Sequence, residues 1–162
     1  MRLSDAQTDV LKNKLFTLSS QEKLLSDKEL LKKQLFWIDI SYSECIKIGI
    51  KSEYSIEEFG KFETLCSRYS RGIDFLIRKI FRTLDEYEFE NQGTLVDVVN
   101  NAHKRGLFEN IDELRIMKDI RNSIAHEYIE DELTQIFEEV LEYTGKLIDI
   151  IQTILKYIDR VK

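Results

Sequence analysis

Arg121 and His126 stand five residues apart in the stretch Arg121-Asn122-Ser123-Ile124-Ala125-His126-Glu127-Tyr128. Histidine exchanges a proton near neutral pH because its ordinary pKa is about 6.5. Arginine is permanently charged, and its planar fork matches the oxygens of a phosphate. Together the two suit attack of a ribose 2′-hydroxyl on the adjacent phosphorus. His126 would remove the hydroxyl proton, and Arg121 would stabilise the negative charge gathering on the phosphate. The products would carry a 2′,3′-cyclic phosphate and a 5′-hydroxyl. Asn122 would orient His126 or donate to the phosphate. This chemistry needs no metal, and the sequence offers no metal-ligand cluster: Cys45 and Cys66 are far apart and form no CxxC pair. The only other histidine, His103, precedes Lys104 and Arg105 and suits a helix C-terminus.

Spacing constrains how such a pair can work. On an ideal helix, residues five apart are rotated by about 140° and do not share a face. Arg121 and Tyr128 share one, and so do Asn122 and His126. Either the helix ends or bends at residues 125–127, or Arg121 and His126 meet across a two-fold axis between two copies. The plainer alternative stays open. Such a string arises by chance, an arginine near a helix end is commonly a surface charge, and a tyrosine such as Tyr128 is commonly half-buried core.

The elements that must position these residues are helices. The 162 residues include no proline and six glycines, with Leu, Ile, Lys and Glu abundant, which is an all-α composition of one domain's length. Apolar spacing predicts a helix from Ser4 to Phe16 and a second from Ser19 or Ser20 to Ile48, ending at Gly49. A third is predicted from Ser55 to Tyr87, and a short fourth from the Thr94 cap to Lys104, closed by Gly106. A fifth follows the Asn110 cap and carries the 121–128 stretch, and a last helix covers 131–158. The expected architecture is one domain over 1–162. It is an up-down four-helix-type bundle with a short extra helix, and residues 1–18 form a helical appendage. Phe36 and Trp37 read as core, with a contact between copies as the alternative. Cys45 and Cys66 read as buried thiols.

The net charge of −6 argues against a general nucleic-acid coat but leaves room for a local basic groove. Arg68, Arg71, Arg78 and Arg82 fall within an arc of about 80° on the third predicted helix, with Lys79 close by. They are candidates for an RNA phosphate track. The alternative is a solvated face paired with Asp74, Asp85 or Glu86. The acidic run 85–90 would end this helix. No stretch is apolar enough to span a membrane and no leader is evident, so the expected location is cytoplasmic.

Arg121-Asn122-x-x-x-His126-x-Tyr128, set in this helical layout, resembles the HEPN superfamily. In particular the chain is similar to the HepT toxins of HEPN/minimal-nucleotidyltransferase toxin–antitoxin pairs, of type VII. Helix pattern carries the resemblance over about residues 20–160, and 121–128 alone carries it at motif level. The resemblance implies a homodimeric HEPN-like bundle that acts as a cofactor-free endoribonuclease, with both motifs lining a cleft between protomers. It puts Arg121 and His126 at the paired catalytic positions and Asn122 at the supporting polar one. Tyr128 matches the tyrosine to which a partner nucleotidyltransferase antitoxin transfers AMP, closing the RNA site. A different class of function stays open: a non-catalytic subunit that binds nucleotide or substrate beside a nucleotidyltransferase. A purely structural helical protein is the third.

Overall fold

With no proline in the chain, helices stop only where glycine, a capping side chain or packing stops them. The computed structural model describes residues 3–90, 93–126 and 130–161. Among them all regular structure is helical.

Helix α1 (Asp5–Ile48) opens with a reciprocal cap: Gln7 N–H donates to Ser4 Oγ at 3.2 Å, and Ser4 N–H donates to Gln7 Oε1 at 2.8 Å. It closes at Gly49, whose φ of 75° a glycine adopts without cost, with its N–H bonded to Cys45 O. One helix therefore stands where the sequence predicts two. Ser19 and Ser20 do not interrupt it, because a serine caps only where the backbone leaves the helix, and the flanking Gln, Glu, Lys and Leu favour continuation. Ser20 is buried within the helix, and its hydroxyl has no hydrogen bond among the described residues.

The next helix begins with an equivalent Ser55–Glu58 box and runs without a break in three parts: α2 (Ile56–Phe75), a wide π turn (Leu76–Ile80) and α3 (Phe81–Tyr87). Helix α4 (Leu95–Lys104) has a Thr94–Asp97 box, and Gly106 comes next at φ 78°. Helix α5 (Ile111–His126) starts where Asp112 N–H donates to Asn110 Oδ1 at 2.8 Å. The predicted last helix is divided into α6 (Glu130–Gln135) and α7 (Phe137–Val161), with a turn at Ile136.

Helices α1 and α2–α3 lie antiparallel. Lys23 meets Glu86 at 3.1 Å, Asp27 accepts from Thr83 at 2.6 Å, and Arg68 reaches Ser41 at 2.7 Å, so one chain rises as the other falls. Helix α7 packs on both, and α5 packs on α2 and α7. Leu24, Leu31 and Ile38 of α1, Phe62, Leu65, Tyr69 and Ile73 of α2, Met117 of α5 and Leu147, Ile151 and Ile154 of α7 are buried together. Phe62 stacks on Phe137 at 4.6 Å between centroids. At Gly72 a Cβ would stand 3.1 Å from both Ile38 and Leu147, so a hydrogen there lets three helices approach. One expectation about the core fails: Phe36 and Trp37 are 58% and 50% exposed. Val10, Leu11 and Leu15 on the first turns of α1, and Ile46 near its end, are exposed too.

Candidate active-site cleft between α2 and α5

Arg121 is positioned from two sides. Its helix is fixed one turn earlier, where the buried Tyr69 hydroxyl of α2 donates to Met117 O at 2.8 Å, and burial pushes that phenol's pKa up. Arg121 itself forks onto Asp74 of α2, Nε to Oδ1 at 2.9 Å and Nη2 to Oδ2 at 2.8 Å. The hydrogen bonds to Asp74 raise the guanidinium's pKa further, and the neighbouring negative charge adds to them. The pair lies at the surface, with side chains 26% and 31% exposed. It lines an open cleft of about 380 Å³ with Glu63, Cys66, Ser67, Ser70 and Arg71 on one wall and Ile124, Ala125 and Leu133 on the other. Ser70 Oγ is buried there without a hydrogen-bond partner among the described residues.

His126 is the last residue of α5 and is exposed, while Asn122, one turn before it, is exposed as well. His126 makes no hydrogen bond or ion pair among the described residues. The α-helix continues through both Arg121 and His126, so no bend between them brings the two side chains to one face. Within one protomer they stay about 140° apart around the axis. Tyr128 lies outside the described residues. His103 Nε2 donates to Glu109 O at 3.0 Å and packs on Phe108, tying down the turn after α4.

The four arginines of the suggested track do not continue one another. The π turn lies between Arg71 and Arg82 and rotates the later residues relative to an uninterrupted α-helix. Arg68 and Arg71 belong to the groove between α1 and α2, where they line a second cleft with Gln34, Trp37 and Ile38. Arg78 is exposed within the turn, and Arg82 is partly buried beyond it. None of the four forms an ion pair among the described residues, and the acids in reach by sequence are engaged elsewhere. Asp74 holds Arg121, Asp85 holds Arg105, and Glu86 holds Lys23.

The acidic run 85–90 is used inside the fold. Asp85 is fully buried and accepts from Arg105 Nη1 at 2.7 Å and from Asn101 at 3.2 Å. Glu88 accepts from Arg105 Nε and from Tyr157, both at 2.7 Å. This network joins α3, α4 and α7. It was hidden in the sequence because its members come from segments far apart in the chain. Asp74 was equally hidden as the partner of Arg121: forty-seven residues separate the two. Among the described residues no helix is long and apolar enough to cross a membrane.

Comparison with protein-family models, with curated proteins and with solved structures finds no match. The likeness to HEPN proteins therefore rests on residues 121–128 and the helical layout.

Proposed function

We propose that this chain is a metal-independent endoribonuclease of the HEPN type, a HepT-like toxin that works as a homodimer in the cytoplasm. The observation that carries this is the pairing, on one helix, of an arginine at the rim of an open cleft with an exposed histidine at the helix end. Such groups face apart within one protomer. A two-fold axis beside α5 would bring His126 of one copy toward Arg121 of the other, giving two equivalent sites per dimer. His126 then takes the 2′-hydroxyl proton and later returns it to the leaving 5′-oxygen. Arg121 stabilises the pentacoordinate phosphorane-like charge, and Asn122 holds the phosphate or the imidazole. AMP transferred to Tyr128 by a nucleotidyltransferase antitoxin would add bulk and negative charge two residues from His126, blocking RNA entry.

A non-catalytic role is favoured by one contact. Asp74 occupies two of the donors of Arg121, so a phosphate must compete with a carboxylate already in place. In a subunit that only binds nucleotide, Arg121 would orient through Asp74 and His126 would act as a hydrogen-bond donor alone.

Intact-mass analysis of protein made alone and protein co-expressed with its neighbouring gene separates these roles, with RNA cleavage assayed in parallel. An adduct of one or more AMP units mapped to Tyr128, with cleavage confined to the unmodified protein, is the expected outcome. Nucleotide binding by an unmodified, folded dimer that leaves RNA intact would establish the binding subunit instead.

A further inference from the structure

Apart from the α2–α5 cleft, one surface combines positive charge, aromatic area and an unmet hydrogen-bond acceptor. It is the cleft of about 330 Å³ between α1 and α2, lined by Gln34, Trp37, Ile38, Arg68 and Arg71. Arg68 is pinned from one end. Its Nη1 donates to Trp37 O at 3.0 Å and to Ser41 Oγ at 2.7 Å, and its guanidinium lies 5.0 Å from the Trp37 ring centroid. Nε and Nη2 have no partner among the described residues and form a free fork. Arg71, one turn along α2, holds only Ser67 of its own helix, through bonds of 3.4 and 3.3 Å. Two guanidinium groups at one cleft without a carboxylate give it a local positive field that suits an anion. Phe36 packs edge-on against Trp37 at 5.1 Å, and both rings stand out into solvent. Gln34 lines this cleft, and its Oε1 is buried without a hydrogen bond among the described residues, so a turn of the side-chain amide toward the cleft would give it a partner.

An anion, a flat π-system and a donor aimed at Gln34 are the parts of one nucleotide. We propose that this cleft binds an unpaired nucleotide of single-stranded RNA. The phosphate sits on the forks of Arg68 and Arg71, the base lies against the Phe36–Trp37 aromatic pair, and a base amino group or ribose hydroxyl donates to Gln34 Oε1. Duplex RNA cannot offer a splayed base to such a site, so the cleft selects single strands. Arg71 also lines the α2–α5 cleft, so a strand seated here leads toward Arg121. The proposal rests on the ribonuclease reading and names its substrate class, yet the binding step can be measured with the chemistry switched off.

Trp37 is the only tryptophan in the chain, so intrinsic fluorescence excited at the indole reports on this cleft alone. The full-length His126→Ala protein would be titrated with a short single-stranded 2′-O-methyl oligoribonucleotide, which has no 2′-hydroxyl to attack. The expected result is a saturable change in Trp37 emission, with affinity falling roughly tenfold or more in Arg71→Glu and in Arg68→Gln. An RNA duplex of equal length should bind much more weakly. Arg71 is exposed and Arg68 half-buried, Arg68→Gln keeps a hydrogen-bonding side chain, and unchanged circular dichroism will show that both variants fold. Three results would overturn the proposal. One is emission that does not respond to the oligonucleotide, or responds equally in Arg71→Glu. Another is equal affinity for a free mononucleotide, which would make the site a metabolite pocket. The third is emission that tracks protein concentration without RNA, which would show a second copy covering the aromatic pair. Failure of catalysis alone leaves this binding result standing, because the titration uses a protein and a ligand that cannot react.

Discussion

His126 and Arg121 differ in what the fold asks of them, and that difference makes their roles separable. His126 is exposed and makes no polar contact among the described residues, so His126→Ala should leave the unfolding midpoint unchanged while abolishing RNA cleavage. Arg121→Ala breaks one half-buried, bidentate ion pair, which costs about 1 kcal/mol, and should also abolish cleavage. Thermal unfolding and cleavage assays on the same preparations check both. The cysteines are the opposite case. Burial pushes the Cys45 and Cys66 thiols up to about 12, with the charge of Glu44 adding at Cys45 and neighbouring Cys45 adding at Cys66. Thiolate is the reactive form, so neither should be alkylated in native protein at pH 8, and both should react once the protein is denatured. Their folded pKa lies above the unfolded one, so the stability they contribute is intact below about pH 9 and declines as pH rises toward 12. Rapid native labelling of Cys45 would show that the helices around it open, and of Cys66 that the α2–α5 cleft widens.

At the scale of elements, the polar network under α3, α4 and α7 is the strongest test of the packing. Arg105→Ala would leave Asp85 buried with Asn101 alone beside it, a loss of about 3–5 kcal/mol, readable as a lower urea midpoint. A change under about 1 kcal/mol would show that Asp85 is solvated or neutral. The exposed first turns of α1 predict the reverse. Removing residues 1–18 should cost less than about 1 kcal/mol, since residues 3–15 bury little against the bundle. A large loss would show that this segment packs on something, a second copy above all. Most of the element plan was legible in the sequence, because capping boxes and glycine stops are local signals: Ser4, Ser55, Thr94, Gly49 and Gly106 all act where expected. Two features were not legible. The continuity of α1 through Ser19 and Ser20 turns on helix-favouring neighbours outweighing two serines that could equally cap a new helix. The π turn at Leu76–Ile80 depends on burying Leu76, Ile77, Ile80 and Phe81 against several neighbours at once.

For the whole molecule, residue types single out the candidate residues, and long-range pairing sets their surroundings. Nothing near Arg121 in the chain announces Asp74, and nothing near Arg68 announces Trp37, because such contacts form between helices. Asp74, Asp85 and Glu88 are spent on internal cations, which leaves Arg68 and Arg71 as local positive charge on a chain of net charge −6. Local charge of this kind, rather than net charge, is what an RNA strand meets. One measurement bears most directly on the proposed chemistry: incubation of unmodified wild-type protein and its His126→Ala variant with a single-stranded RNA in excess EDTA, with mass spectrometry of the product ends. Cleavage by the wild type alone, leaving 2′,3′-cyclic phosphate and 5′-hydroxyl termini, is the expected result. Cleavage that persists in His126→Ala, or that vanishes in the wild type when EDTA is added, would contradict a metal-independent mechanism built on Arg121 and His126.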